Sequence, residues 1–443
     1  MGSLEQDTVT GPSVYQHIVV EGLPYDRGLS HGTQVKDKIH TNVAYYKLPG
    51  KLPCWSICSR IINDVYLPAF EKLWPSGLQE LRGIAEGADV PLEEIIMLNA
   101  RYDLARTMYL LKDGGRADPE QNGSAGSDEN ELANECTSGF FTPKATESGD
   151  SLAVQNWDMS NHLHEQDLVI YLEVHPHPSE KIPAMFILTE AGQLIRTGMN
   201  AAGLAVTANS LLSTADYVPI PYTDRSGVFH NVIPRPALPF SLARRVFLEY
   251  TTYSEGLVAI NAFPRHVSGN LHVSTGEGFG MALEVAPDRI YKYYGDVDDN
   301  YVLHSNHFVA EGFNGRDDVR DRYPGGSSWF RMRRAEIGVR PYEDGRLTVE
   351  RIHKAFSDHL SYPESLCQHP NFDARNAPSN ALTGYTSKLS MTVAFVVYNL
   401  TRKTITVCKG PPCQGHLQVF KLEERAENKN VMSKSNNVKV TPI

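Results

Sequence analysis

The sequence predicts a layered α+β fold, and three observations predict it. Residues 25–111 carry apolar side chains at helical spacing, short runs with strand character recur from residue 136 onward, and helical stretches stand grouped among those strands. Antiparallel strands with segregated helices pack as layers around a shared core. The organisation expected is a mostly helical part, residues 1–135, ending in a mobile loop over 112–135. A second part, residues 136–443, follows, with a polar tail over 423–443.

Ile61, Ile62, Val65, Tyr66, Ala69, Phe70 and Leu73 recur at spacings of three and four, the stripe of an amphipathic helix. Pro68 falls inside that stripe and predicts a kink or an end, because its ring clashes with the preceding turn. Leu92, Ile95, Ile96, Leu98 and Leu104 form a second stripe. Residues 112–135 are rich in Gly, Ser, Asn, Asp and Glu and almost without apolar side chains, which predicts a solvated loop. Residues 136–143 and 152–159 read as two strands joined through Ser148-Gly149-Asp150. Further strands are expected over 168–174, 184–188, 203–208, 281–285, 301–304 and 391–398, the last pairing with 404–408. Helices are expected over 242–250, 329–337 and 349–360, and a frayed tail after Leu422.

Composition narrows the function. A formal charge of −10 with no basic stripe argues against nucleic acid and against an anionic membrane surface as partners. No apolar run approaches the ~18 residues of a membrane helix. The opening Met1-Gly2-Ser3-Leu4-Glu5-Gln6 has neither a basic nor an apolar leader region, so no secretory signal and a cytoplasmic location are expected. The six cysteines are then expected as free thiols. Cys54-x3-Cys58 and Cys408-x4-Cys413 lack the spacing of zinc ribbons. His162-x-His164, His175-x-His177 and His304-x2-His307 lack a third ligand nearby, so no metal is expected. No glycine-rich loop followed by Lys-Ser/Thr is present, and no cofactor is expected.

Cys136, in Asn134-Glu135-Cys136-Thr137-Ser138, stands where the polar stretch ends and strand character begins. Scission of the exposed Glu135–Cys136 bond would make it an amino terminus. A terminal cysteine carries a nucleophile and a base on one residue, with an amine pKa near ~8 and a thiol near ~8.5. The internal cysteine has only an amide nitrogen, so cutting would switch on chemistry absent from the intact chain. Asp158, in Gln155-Asn156-Trp157-Asp158, follows across one hairpin and comes within side-chain reach of Cys136.

The chain resembles the isopenicillin N acyltransferase (acyl-CoA:6-aminopenicillanate acyltransferase) family of N-terminal cysteine nucleophile hydrolases. The resemblance is carried by Tyr25-Asp26-Arg27-Gly28-Leu29-Ser30-His31-Gly32, Leu98-Asn99-Ala100-Arg101-Tyr102, Cys136-Thr137-Ser138 and Gln155-Asn156-Trp157-Asp158. It continues through Gly198-Met199-Asn200-Ala201-Ala202-Gly203-Leu204, His304-Ser305-Asn306-His307-Phe308 and Gly410-Pro411-Pro412-Cys413. It implies a four-layer αββα sandwich and self-cleavage before Cys136, into fragments that remain associated. Glu135 stands where family members often have glycine. The resemblance implies Asp158 beside the new amino group and Asn306 as an oxyanion donor. Asn209, where bile-salt hydrolases have a similar asparagine, would be a second donor. Arg331 lies in Ser328-Trp329-Phe330-Arg331, similar to the family's Ser-x-x-Arg helix start; Ser328 would cap that helix and Arg331 would pair with Asp158.

The function expected is an acyltransferase moving an acyl group through a Cys136 thioester to an amine, with acyl-CoA or an amide as donor. An amidohydrolase using water on the same site is the alternative, and a non-catalytic binding protein on the same scaffold the third. The chain ends Thr441-Pro442-Ile443, no peroxisomal tripeptide, which points away from the penicillin substrate itself.

Overall fold

The computed structural model describes residues 14–114, 136–224, 226–322, 326–371 and 389–423. Glu135, most of the expected loop and the tail from 424 lie outside them. The first part holds β1 (Gln16–Gly22), α1 (Pro24–Gln34), α2 (Lys36–Tyr46), α3 (Trp55–Ile61), α4 (Leu67–Leu73), α5 (Pro75–Ala88) and α6 (Leu92–Gly114). The last helix runs to Gly114, past the expected start of the loop at 112. Next come β2 (Thr137–Phe141), β3 (Leu152–Ser160), α7 (His162–Glu165), β4 (Val169–Pro176), β5 (Met185–Glu190), β6 (Thr197–Asn200) and β7 (Leu204–Asn209). A small ladder of β8 (Tyr222–Thr223) and β9 (Phe229–His230) precedes α8 (Ala243–Leu248) and α9 (Tyr253–Ala262). The remainder is β10 (Gly269–Thr275), β11 (Phe279–Val285), β12 (Ile290–Tyr293), β13 (Tyr301–His304), α10 (Glu311–Asn314), α11 (Ser327–Val339), α12 (Val349–Phe356), β14 (Ser390–Asn399), β15 (Thr404–Lys409) and β16 (Leu417–Lys421).

These strands form an eight-stranded sheet, in the order β1-β4-β5-β6-β7-β10-β11-β12, and a six-stranded sheet, β13-β2-β3-β14-β15-β16. Alternation along each strand assigns its side chains to opposite layers. On β4, Ile170, Leu172 and Val174 join the helices α2–α6 and α8 in one core. Val169 and Tyr171 face the other way, meeting Phe140, Trp157, Val396 and Tyr398 of the second sheet. That sheet's far face, with Phe141, Val154, Phe395 and Val397, packs on Ala335, Val339, Ile352 and Phe356 of α11 and α12. The result is the expected αββα order of layers. No helix among the described residues is long and apolar enough to cross a membrane.

Two local features explain sequence signals. Gly28 and Gly32 of α1 lie against Gly83 and Gly87 of α5. A Cβ on any of the four would meet the partner helix's backbone, at Glu80, Ile84, Tyr25 and Leu29 respectively. The Tyr25–Gly32 motif is thus a close helix contact, closed by Arg27 bonding Glu80 at 3.0 Å. Pro68 stands at the second position of α4, where regular α-helix resumes. The turn before it, Ile62–Tyr66, widens into a π-helix, and Leu67 N–H bonds Ile62 O five residues back. The wider turn accommodates the proline's missing donor.

Candidate active site

Cys136 immediately precedes β2, which pairs antiparallel with β3 in the register Thr137↔Asn156 and Phe141↔Leu152. Side chains therefore alternate between the gap separating the two sheets and the layer of α11 and α12. The Cys136 thiol is fully buried on the gap side, with Trp157 in its cluster, and donates to Asp158 O at 3.8 Å. Burial pushes this thiol above its ordinary pKa; Arg196 pulls it down and the Asp158 carboxylate pushes it up.

The opposite face is held by Arg331, fully buried on α11. Its Nη1 donates to Cys136 O at 3.0 Å and to Thr137 Oγ1 at 2.8 Å, and its Nη2 donates to Asn306 Oδ1 at 2.8 Å. One guanidinium so ties the candidate nucleophile to a candidate oxyanion donor. Asp158 is placed differently from expectation. Its Oδ1 accepts from Thr392 Oγ1 at 2.5 Å, across the pair Thr392↔Asp158 of β14 and β3. Among the described residues no ion pair joins Asp158 to Arg331, whose fork is turned toward Cys136 and Asn306 instead. A β-bulge between Thr392 and Ala394 lies opposite Asp158 and Trp157. Such a bulge re-aims the side chains beside it. Ser328 is not a cap either: the N-cap is Gly326, and Ser328 Oγ accepts from Asn306 N at 2.8 Å. It positions Asn306 from inside the first turn.

Asn306 follows β13, and its Nδ2 donates to Ser210 O at 2.9 Å. Asn209 ends β7 on the other sheet and reaches across the gap. Its Nδ2 donates to Ser138 Oγ at 2.9 Å and to His304 O at 3.0 Å, so both of its N–H groups are engaged. Beside it lies a narrow cleft of about 10 Å³ whose lining includes Asn209, Ser210, Arg196, Arg244, Tyr102 and Phe240. Arg196 and Arg244 are 4% and 3% exposed. Arg244 Nε donates to Ser241 O at 2.8 Å and its Nη1 to Arg196 O at 2.6 Å. Arg196 lies 5.6 Å over the Trp157 ring, and its Nε has no hydrogen-bond partner. Neither has a carboxylate partner among the described residues, and burial lowers the pKa of both, with neighbouring arginines acting in the same direction. Cys136 does not line this cleft. In the continuous chain the thiol is sealed behind it.

Glu135 lies outside the described residues. Of the other expected residues, Cys136, Arg331 and Asn306 are joined directly, Asp158 through its carbonyl, and Asn209 through Ser138 and His304. Sequence reading gave no role to Ser138, Thr392 or the arginine pair, and gave Ser328 the role of a cap. Serine and threonine carry no pattern until the fold shows what they bond, and Arg196 sits in an ordinary strand approach. The histidine pairs weighed as ligands do not converge. His162 stacks on Tyr45 at 3.4 Å, His175 bonds Glu173 at 2.6 Å, and His304 bonds buried Glu284 at 2.9 Å. A different set does converge: His359, Cys367, His369 and Cys413.

Residues 145–412 match the family model described as acyl-coenzyme A:6-aminopenicillanic acid acyl-transferase, more than half of the chain. That span contains Asp158, Asn209, Asn306 and Arg331 and begins after Cys136. The 40 kDa form of acyl-coenzyme A:6-aminopenicillanic-acid-acyltransferase of Emericella nidulans is 27% identical over 364 residues, covering 80% of this chain and 84% of that protein. Among solved structures, a Caenorhabditis elegans N-acylethanolamine-hydrolyzing acid amidase ortholog shows a TM-score of 0.35 at 14% identity, over 60% of this chain and 93% of that one. Penicillin V acylase from Agrobacterium tumefaciens shows 0.36 at 14%, over 65% and 86%. On the extent of the family match, the chain belongs to the acyl-coenzyme A:6-aminopenicillanic acid acyl-transferase family, a family of acyl-transferring enzymes.

Proposed function

We propose that the chain is a self-cleaving acyltransferase that carries an acyl group on Cys136 as a thioester and delivers it to an amine. The observation carrying this reading is the setting of Cys136: a sealed thiol at a strand start, its carbonyl held by the guanidinium that also holds Asn306. In the first reaction the thiol sulfur attacks the Glu135 carbonyl. The Glu135–Cys136 C–N bond breaks, and the nitrogen leaves as an amine with the thiol proton. Water then hydrolyses the thioester, leaving a carboxylate on Glu135 and a free thiol.

In turnover the new amine accepts the thiol proton and the thiolate attacks the donor carbonyl. The donor's CoA thiol, or its amine, leaves protonated. An acceptor amine attacks the enzyme thioester, an amide forms, and the proton it sheds returns to sulfur. Asp158 would hold the terminal ammonium. The Asn306 amide would donate to the oxyanion, an interaction typically worth ~3 kcal/mol. Asn209 could act as a second donor by giving up Ser138 or His304. Arg196 and Arg244 favour a substrate bearing an anionic group, since a carboxylate or phosphate would satisfy two buried guanidinium groups. The likeness to the acyl-coenzyme A:6-aminopenicillanic-acid-acyltransferase of Emericella nidulans supports acyl-CoA as donor.

The two pieces would stay together after scission. β1 pairs with β4 along its whole length, and the helices of the first part share one core with strands of the second. Intact-mass spectrometry is the test: two pieces for the wild type, one for Cys136→Ala. Active protein with a continuous chain would overturn the reading in favour of a different nucleophile. A stable uncut and inactive chain would favour a binding protein. Supplying acyl-CoA with candidate amines, against an amide alone, separates a transferase from an amidohydrolase that uses water on the same site.

A further inference from the structure

Behind the face of β3 that carries Asp158, three chain segments bring four ligand-type side chains to one point. His359 follows α12, Cys367 and His369 stand on the segment beyond it, and Cys413 comes from the turn after β15. One ligand atom from each lies within 4.8 Å of all the others. His369 Nε2 is 3.3 Å from His359 Nε2, 3.3 Å from Cys413 Sγ and 3.6 Å from Cys367 Sγ. We propose that these four residues bind one zinc ion as a closed structural site.

The distances carry the assignment. With Zn–S near ~2.3 Å and Zn–N near ~2.0–2.1 Å, a tetrahedral site has edges of about 3.3 Å between nitrogens and about 3.6 Å between nitrogen and sulfur. The His359–His369 and Cys367–His369 separations match those edges, and the Cys413–His369 separation is about 0.3 Å shorter than a nitrogen–sulfur edge. Hydrogen bonding accounts for them poorly, because His369 Nε2 has a single position, proton or lone pair, to serve three neighbours. A cation at the centre serves all four lone pairs at once. Two thiolates and two imidazoles in a tetrahedron suit zinc, and binding releases two thiol protons to solvent. Four protein ligands leave no open position, so the ion takes no part in acyl transfer.

The backbone around the cluster is already fixed. Cys367 N–H bonds Asp358 O at 3.0 Å, His369 N–H bonds Pro363 O at 3.0 Å, and His353 Nε2 bonds Pro412 O at 2.8 Å. Gln368, between two ligands, accepts from Thr392 N–H through its carbonyl, and its own N–H donates to Thr392 Oγ1, both at 3.0 Å. Thr392 Oγ1 in turn donates to Asp158. Asn156 Nδ2 donates to Phe356 O and Leu366 O, at 3.0 and 2.8 Å, on either side of the same strap. The ion would clamp this strap to the turn after β15 and so brace the back of the Asp158 site. This inference stands whether or not the chain cleaves itself.

Elemental analysis of the full-length protein, purified with a reductant and without chelator, gives about one zinc per chain under this proposal. His359→Asn with Cys413→Ser, both at exposed positions, reduces it to under about a tenth of that, whereas Cys54→Ser leaves it unchanged. Cobalt(II) substituted into the wild type develops tetrahedral ligand-field and thiolate charge-transfer absorption. Should the double variant misfold, the wild-type stoichiometry and the cobalt spectrum still decide. A wild type that stays metal-free after zinc addition overturns the proposal. So does a metal content indifferent to the double variant, or a Cys367–Cys413 disulfide in the unreduced protein.

Discussion

The two faces of the hairpin formed by β2 and β3 differ in what their polar groups are bonded to. On the face toward α11 and α12, Arg331 is turned onto Cys136 O, Thr137 and Asn306, Asp158 onto Thr392, and Asn156 onto two carbonyls of the strap. On the face toward the gap, the thiol has one long contact to a carbonyl, and Arg196 Nε has no partner. Unpartnered buried atoms stand on both faces, Asn156 Oδ1 on the first and Arg196 Nε on the second, so the contrast lies in what the bonded groups hold. One face is a frame and the other a receiving surface. Removing Arg331 from the first should damage the fold, and removing the thiol from the second should damage the reaction.

The largest effect tests that division directly. Cys136→Ala should abolish cleavage and lower turnover at least ~10³-fold, while thermal stability of the chain is kept or raised. A large loss of stability would place the thiol in the frame. Arg331→Met should do the reverse, costing about 3 kcal/mol of unfolding free energy through its lost charged hydrogen bonds, with slowed cleavage as a consequence. Denaturant unfolding reads the first and mass spectrometry the second. A variant cut normally and fully stable would remove Arg331 from the frame. Asn306→Ala should reduce kcat by ~10²-fold or more. Asn209→Ala should reduce it less, since its N–H groups are already committed to Ser138 and His304. The opposite order would make Asn209 the principal oxyanion donor.

The fold was legible where burial on both faces leaves runs of apolar residues. β3, β4, β5, β7, β13, β14 and β15 lie within a residue or two of their expected bounds. β10 was missed although Asn270, His272 and Ser274 alternate with Leu271 and Val273, the period of a strand with one polar face. Those polar residues face the gap near Cys136, where a polar lining replaces the apolar one. The Ser-x-x-Arg pattern found Arg331 but gave it the wrong partner. Sequence does not record which of two neighbouring groups a long side chain turns toward, and Asp158 was already occupied from β14. The convergence of His359, Cys367, His369 and Cys413 spans three segments, and short-window spacing rules do not see it.

The smallest effect is near zero below pH ~4 and appears as a slope above it. Asp103 on α6 accepts from Phe240 N–H, at 3.0 and 3.1 Å, next to the cleft. Burial raises its pKa to about 7, and Asp216 is raised to about 6 for the same reason. An acid raised in the folded state keeps its proton where the unfolded chain, with an ordinary value near ~3.9, has lost it. Its contribution to stability is full below the unfolded pKa and falls as pH rises to about 7. Asp103→Asn keeps an acceptor for Phe240 and has no proton to lose. The variant should match the wild type below pH ~4 and gain on it as pH rises to about 7, above which the two curves run parallel. Asp216 remains, so the decline should be shallower and not abolished. Curves parallel over the whole range would show that Asp103 is ionised in the fold, making this end of the cleft a charged wall and weakening the case for an anionic substrate beside Arg196 and Arg244.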